Sequence, residues 1–212
     1  MVKHCVAISY YNYCDIARYC TNHESRTQKI EKMKLVIILL AFTLLAFTTT
    51  TDWEIFQSEA GRFQIEMPEL PAYNSQLLDT KSGELDLHIY MHEGDADIDD
   101  NILYMVTYID YPEDQINSEM MDKEALVKFY NGSAQGAASS MSGRVTEDTE
   151  VEVFGYEARN YRIDYLEGEA IMQMQIILVK NRVYALQTIA LTQNDKNAAQ
   201  NRFFNSLELL SE

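Results

Sequence analysis

Apolar and polar residues alternate along most of the chain after Trp53, in the manner of half-buried β-strands. Turn residues such as Gly, Pro, Asn and Asp separate the alternating stretches. The stretches that we predict to be strands are "RFQIEM", "ELDLHIYMH", "ILYMVTYIDYP", "RVTEDTEVEVF", "YEARNYRIDYL", "AIMQMQIILVK" and "RVYALQTIALT". Pro68 and Pro71 end the first of them, because proline has no N–H to donate to a neighbouring strand. The unbroken apolar run of "AIMQMQIILVK" predicts a central strand that is covered on both faces.

The stretch "ELDLHIYMH" alternates most regularly. One face carries Leu85, Leu87, Ile89 and Met91, and the other carries Glu84, Asp86, His88, Tyr90 and His92. The acidic segment "EGDADIDDN" separates it from "ILYMVTYIDYP". These two stretches are therefore predicted to be neighbouring strands joined by a polar loop.

The period changes after Asn117, where apolar and small residues recur every three or four positions, as on one face of a helix. The residues concerned are Met121, Ala125, Phe129, Gly132 and Gly136. Ser118 is the predicted N-cap, and the helix should end near Gly143. Glycines weaken a helix, so Gly132 and Gly136 suggest close packing of its backbone on a sheet or, alternatively, a gap for a ligand.

A second helix is predicted in "KNAAQNRFFNSL", capped by Asn194 or Asp195. Its buried side chains should be Ala198 or Ala199, Phe203 and Leu207. The order of strands, helix, strands and helix, with short turns between strands, predicts an α+β fold in which a largely antiparallel β-sheet packs against helices.

Several segments together resemble the PsbP-like family. They are "WEIFQSEAGRFQIEMPELP", "YIDYP", the glycine-bearing helix, "NRVYALQTI" and "AAQNRFFNSLEL", and the resemblance covers nearly all of residues 53–210. It implies an α/β/α sandwich, and the family's best-known member is the extrinsic subunit of the photosynthetic oxygen-evolving complex. The photosynthetic members are non-catalytic accessory proteins docked on a membrane complex. No functional residue of the family matches a position here, so the resemblance implies fold rather than site.

A signal peptide is predicted at residues 33–51. Lys29, Lys32 and Lys34 precede the apolar run 35–47, and cleavage is expected between Thr48 and Asp52. The alternative is an uncleaved anchor over residues 35–51, which would be the only membrane contact. Residues 1–32 are interpreted as an upstream leader, with translation starting at Met33; a cytoplasmic extension before an anchor is the alternative. Residues 52–212 are predicted to form a single domain.

Charge and cysteine content narrow the classes of partner. The chain has a net charge of −16, and residues 1–51 carry six Lys or Arg and three Asp or Glu, so residues 52–212 carry −19. Such a surface repels nucleic acid and anionic lipid. All the cysteines, Cys5, Cys14 and Cys20, lie in the leader, so a disulfide framework, a thiol nucleophile and a cysteine metal site are not expected in the exported domain.

Side chains with oxygen ligands indicate one candidate metal site. Asp95, Asp97 and Asp99 alternate as calcium ligands do, with Asp100 beside them, and Asp86 and His88 precede them on a strand. The EF-hand pattern fails, because Asp100 stands where that loop has its glycine and Val106 where it has glutamate. Weak Ca²⁺ or Mn²⁺ binding is therefore the alternative to an acidic loop without a ligand.

Motifs for catalysis are absent from the sequence: it contains no Gly-x-Ser-x-Gly, phosphate-binding glycine loop or His-Glu-x-x-His. The leading interpretation is an exported, non-enzymatic PsbP-like domain, periplasmic or secreted, that binds a protein partner in the cell envelope. The alternatives are a low-affinity divalent-cation binder and a hydrolase of unknown substrate.

Overall fold

The computed structural model describes residues 53–80 and 82–210. Within them the chain forms ten strands and two α-helices. The strands are β1 (Glu54–Ser58), β2 (Phe63–Met67), β3 (Ala72–Thr80), β4 (Gly83–Glu93), β5 (Leu103–Asp110), β6 (Arg144–Val153), β7 (Tyr156–Tyr165), β8 (Ala170–Val179), β9 (Arg182–Leu191) and β10 (Glu208–Leu209). The helices are α1 (Lys123–Ser140) and α2 (Ala198–Asn205). All the predicted strands are confirmed, whereas β1, β3 and β10 are not among the stretches that were predicted to be strands.

Seven strands form one antiparallel sheet in the order β3-β4-β5-β9-β8-β7-β6, and β1, β2 and β10 form a smaller sheet in the order β1-β2-β10. Short turns join β3 to β4, β6 to β7, β7 to β8 and β8 to β9. The turn between β6 and β7 holds Phe154 and Gly155 at φ values of 56° and 79°, which is the combination that a two-residue hairpin turn requires. The predicted antiparallel α+β fold is confirmed.

Helix α1 covers one face of the large sheet. Its buried residues are Leu126, Tyr130, Ala134 and Ala138, and they pack against β7, β8 and β9. The predicted helix face is right in part: Met121 and Phe129 pack against this core. Gly132 and Gly136 are exposed instead, and outside the helix's own backbone no atom lies within 4 Å of where a Cβ would stand. The glycines therefore allow neither close packing on the sheet nor a gap for a ligand against it.

Both predicted helix caps were also wrong. Helix α1 is capped by Asp122, whose Oδ1 accepts a hydrogen bond from the backbone N–H of Ala125 at 2.8 Å. The hydroxyl of Ser118, the predicted cap, is buried instead. Helix α2 is capped by Asn197, whose Oδ1 accepts from Gln200 N at 2.7 Å. In both cases several cap-forming residues lie close together in the sequence, so residue type alone does not select the one that begins the helix.

The opposite face of the large sheet is covered by the small sheet and α2. Phe63, Ile65 and Met67 of β2 have no exposed surface, and Phe203 and Leu207 are buried beside them, as the sequence predicts. The Tyr184 hydroxyl donates to Gly61 O at 2.7 Å and joins the two sheets. Helices therefore lie on both faces of the central sheet, and the three-stranded sheet shares the α2 layer.

Strand β8 is buried on both faces, as its apolar run predicts. Ile176 and Leu178 face α1, and Ile171 and Ile177 face the other way, all with no exposed surface. No helix within residues 53–80 and 82–210 is long and apolar enough to span a membrane. The predicted leader 1–32 and signal peptide 33–51 lie outside the described residues.

Replacing Tyr130 by Phe should lower the free energy of unfolding by about 1–3 kcal/mol. The Tyr130 hydroxyl donates to Glu157 O at 2.6 Å and accepts from Leu178 N at 3.1 Å, so its loss leaves polar groups unpaired between α1 and the sheet. Urea unfolding followed by circular dichroism measures the change. Tyr111→Phe is the control, because no hydrogen bond of the Tyr111 hydroxyl is found in the described part; an equal loss in both variants would contradict this account.

Candidate functional site: the uncovered half of the sheet

Among residues 53–80 and 82–210, no element covers half of the large sheet on the side where α1 lies. Helix α1 packs over β6 and β7 and reaches β8 and β9. On the same face, the β3–β5 half presents only half-buried or exposed apolar side chains, and none of them belongs to either core cluster. We call them the open face: Leu78, Leu85, Leu87, Ile89, Met91, Leu103 and Met105. A contiguous apolar surface of this kind is typical of an interaction site.

The other face of β4 points inward. Tyr90 is 9% exposed, and its hydroxyl lies 2.9 Å from Ser58 Oγ. Its ring packs against Phe56 and Phe63 of the small sheet. The face with more aliphatic residues is therefore the open one, and the face with more polar residues lies against the core.

Strand β3 is an edge strand with little protection. Residues 72–79 are all exposed, including Tyr73 at 56%, Leu77 at 66% and Leu78 at 38%. Within the described residues, β3 pairs only with β4. One side of its backbone is therefore free to form hydrogen bonds with another strand.

The β3–β4 hairpin also extends past the rest of the sheet. Strand β4 pairs with β5 only from His88 to Glu93, whereas it pairs with β3 from Gly83 to Met91. Residues 76–80 and 83–87 therefore form a two-stranded ribbon, which we call the ribbon. Two strands alone are marginally stable in water, so a projecting ribbon with leucines on both faces is a place where a partner adds stability.

Three carboxylates lie on the ribbon, on the face opposite to the open face. Asp79 and Glu84 stand directly across from each other, and Asp86 stands across from Leu77. No described residue forms an ion pair with any of the three; the turn residue Lys81 is not among the described ones. Like charges directly opposite each other on two strands are destabilising. Among the described residues, the ribbon is thus an anionic surface whose carboxylates have no ion-pair partner.

A row of stacked side chains connects the ribbon to the core. The Tyr73 hydroxyl lies 2.9 Å from His88 Nδ1. The His88 ring stacks on the Tyr108 ring, with 4.3 Å between the centroids. The Arg182 guanidinium also lies over the Tyr108 ring, 4.6 Å from its centroid. Arg182 also donates to both carboxylate oxygens of Asp110 at 2.6 Å, which raises its pKa above the ordinary value.

The residues predicted to bind a metal divide into two groups. His88 is held in the stacked row, and Asp86 lies on the exposed ribbon. In the following loop, Asp95 Oδ1 accepts from Asp97 N at 2.9 Å, and Asp99 Oδ2 accepts from Asp95 N at 2.7 Å.

The fourth loop residue, Asp100, is exposed beside Asp99. Within 53–80 and 82–210 no group of three or more His, Cys, Asp or Glu side chains is arranged to hold a metal ion. Binding of Ca²⁺ or Mn²⁺ stays a prediction.

A groove of about 740 Å³ lies beside Arg182, at the N-terminal end of β9. Arg62, Lys180 and Arg182 bring positive charge to it, and Asp110 and Glu113 bring negative charge. Because Arg182 is held by Asp110 and also donates to Ala60 O at 2.9 Å, it is a structural tie between the two sheets. The Arg182 guanidinium is therefore already hydrogen-bonded within the protein and is not available to bind an anionic ligand in the groove.

The edge residues of the candidate site were missed by the sequence-based prediction. The segment "AYNSQLLDT" shows no alternation, because both of its faces are exposed. One signal was available: between Pro71 and Lys81 only Asp79 is charged, and Leu77 and Leu78 are adjacent. A stretch with a single charge and two adjacent leucines, in an acidic chain, lacks the charges that usually protect an edge strand.

Comparisons with known proteins give fold likeness only. No family model matches the sequence, and no curated protein matches it. Among solved structures, the chain is similar to the solution structure of cyanobacterial PsbP (CyanoP) from Synechocystis sp. PCC 6803, with 8% identity and a TM-score of 0.48 over 77% of this chain and 96% of that chain.

A second similar structure is that of the protein of unknown function PA94 from Pseudomonas aeruginosa. It is 9% identical, with a TM-score of 0.32 over 67% of this chain and 85% of that chain. At these identities no functional residue transfers to this chain.

When Tyr108 is replaced by Phe, the free energy of unfolding should fall less steeply as the pH rises above 10. Burial, with a contribution from Tyr90, raises the pKa of Tyr108 from 10.0 to about 12. The folded state therefore retains a proton that the unfolded state releases, and the stabilisation present below pH 10 is lost as pH rises towards 12. Between these values the variant should lose up to roughly 2 kcal/mol less than the wild type. Urea unfolding at stepped pH measures this, and parallel slopes would contradict it.

Proposed function

We propose that the protein is an exported, non-enzymatic accessory domain with a PsbP-like fold, which binds a protein partner in the cell envelope through the open face. The observation that carries the proposal is the uncovered apolar half of an otherwise well-buried sheet. Monomeric soluble proteins rarely leave such surfaces uncovered unless they form an interaction site.

The shape of the surface favours a macromolecule over a small ligand. The open face lies on the surface of a sheet and spans three strands, β3, β4 and β5. Small-molecule sites are concave and bury most of their ligand. A wide apolar surface with polar residues around it is instead typical of a protein–protein interface. The sequence resemblance agrees with an accessory role, since the photosynthetic PsbP-like proteins act without catalysis.

Export rests on the segment 33–51, with its basic flank and apolar run. We expect the protein isolated from its own cells to begin between Thr48 and Asp52. Intact mass and N-terminal sequencing measure this directly. A product that retains residues 33–51 would favour the anchor, and any peptide from residues 1–32 would contradict a start at Met33.

Site-directed cross-linking tests the open face. A photoreactive phenylalanine analogue at Met91 or Met105 should give one discrete adduct with another protein in intact cells. The same analogue at Phe154, which is 50% exposed in the β6–β7 turn, is the control and should give none. Adducts of equal yield from all three positions, or none from Met91 and Met105, would overturn the proposal.

A further inference from the structure

The two edges of the large sheet differ in how they are protected against pairing with another strand. Edge strand β6 carries Glu147, Asp148, Glu150 and Glu152. Three of these are paired with cations of neighbouring elements: Lys196 with Glu147 at 3.0 Å, Arg159 with Asp148 at 2.7 Å and Lys123 with Glu150 at 2.7 Å. Charges along an edge prevent unwanted strand pairing.

Edge strand β3 has no such protection. Its nine residues include one charge, Asp79, and three exposed large apolar side chains, Tyr73, Leu77 and Leu78. Because the same protein protects β6 and leaves β3 open, we interpret β3 as an edge that a partner uses rather than one that is merely tolerated.

The charges around β3 decide between partners. A second copy of this chain would bring another Asp79, Glu84 and Asp86, for which no described residue supplies an ion pair, on a domain with a net charge of −19 for residues 52–212. A strand with basic side chains on that face would instead bring cations to these carboxylates. Charge complementarity therefore favours a basic partner over self-association.

We propose that a partner protein adds an extended segment to the free edge of β3, with apolar side chains towards the open face and basic side chains towards Asp79, Glu84 and Asp86. This inference rests on the proposed function and names the chemistry of its partner. An added strand would lie about 4.8 Å from β3, and nine residues would follow it for roughly 30 Å.

The alternation of the partner segment follows from strand geometry. Successive side chains of a strand point to opposite faces. On one face the added strand meets Leu78 and, behind it, Leu85 of the open face; on the other it meets Leu77 and Asp79. A segment that alternates apolar and basic residues satisfies both faces, with backbone hydrogen bonds supplying affinity and side chains supplying specificity.

A synthetic peptide tests the inference on the full chain. The probe is an acetylated, amidated peptide in which valine and lysine alternate over the nine-residue length of β3. We expect saturable binding by fluorescence anisotropy and slower amide hydrogen exchange confined to residues 72–80. A peptide of the same composition with its lysines grouped at one end separates strand addition from simple charge attraction.

Charge-reversal variants give a matched comparison. Asp79→Lys with Glu84→Lys should weaken peptide binding by at least about tenfold, which is a change readily measured in a dissociation constant. Glu113→Lys with Glu152→Lys makes the same change in net charge at exposed positions away from β3 and should leave binding within about twofold. Equal weakening by both pairs, equal binding of the grouped peptide, or protection outside β3 would overturn the inference.

The same variants in the cross-linking experiment separate this inference from the proposed function. Loss of the Met91 adduct in the Asp79→Lys, Glu84→Lys variant supports strand addition. An adduct that survives in this variant leaves the protein-binding function intact and refutes β3 as the docking edge. Light scattering that shows a dimer with protected β3 amides, without peptide, would also refute it, because a second copy would then occupy the edge.

Discussion

Burial of both faces of the central strands is the constraint on which the rest of this structure depends. Strands β8 and β9 are almost fully buried, so the sheet needs a layer on each side. Helix α1 provides one, with Tyr130 hydrogen-bonded to β7 and β8. The small sheet and α2 provide the other, through Phe63, Phe203 and the bond from Tyr184 to Gly61. A sheet with apolar residues on both faces is stable only when both layers are present.

The two covering layers do not match in extent, and this mismatch produces the candidate site. The small sheet reaches Tyr90 on β4, whereas α1 lies over the opposite end of the large sheet. One face of β4 is therefore part of the core and the other is open. The open face is a consequence of an 18-residue helix being placed over β6 and β7, because a single helix is narrower than a seven-stranded sheet.

Electrostatics adds a second asymmetry to the same sheet. Three of the four acidic residues of β6 are paired with Lys123, Arg159 and Lys196, whereas the carboxylates of the ribbon have no ion-pair partner among the described residues. A net negative charge keeps such a domain soluble and repels other acidic surfaces. The combination of an apolar face and an anionic ribbon is the basis on which we propose a partner with a basic, extended segment.

The sequence by itself determined most of the strands, their turns and the antiparallel α+β class, because alternation and turn residues act over a few neighbouring positions. It also determined that β8 is buried on both faces. Tertiary structure alone decided which face of β4 is the core, since alternation is the same pattern whichever face is covered. It also selected Asp122 and Asn197 as caps and turned Gly132 to solvent. Strand β3 left no periodic signal, because pairing with β4, and not burial, makes it a strand. The candidate site is therefore least visible in the sequence, since it consists of surface that the rest of the fold leaves uncovered.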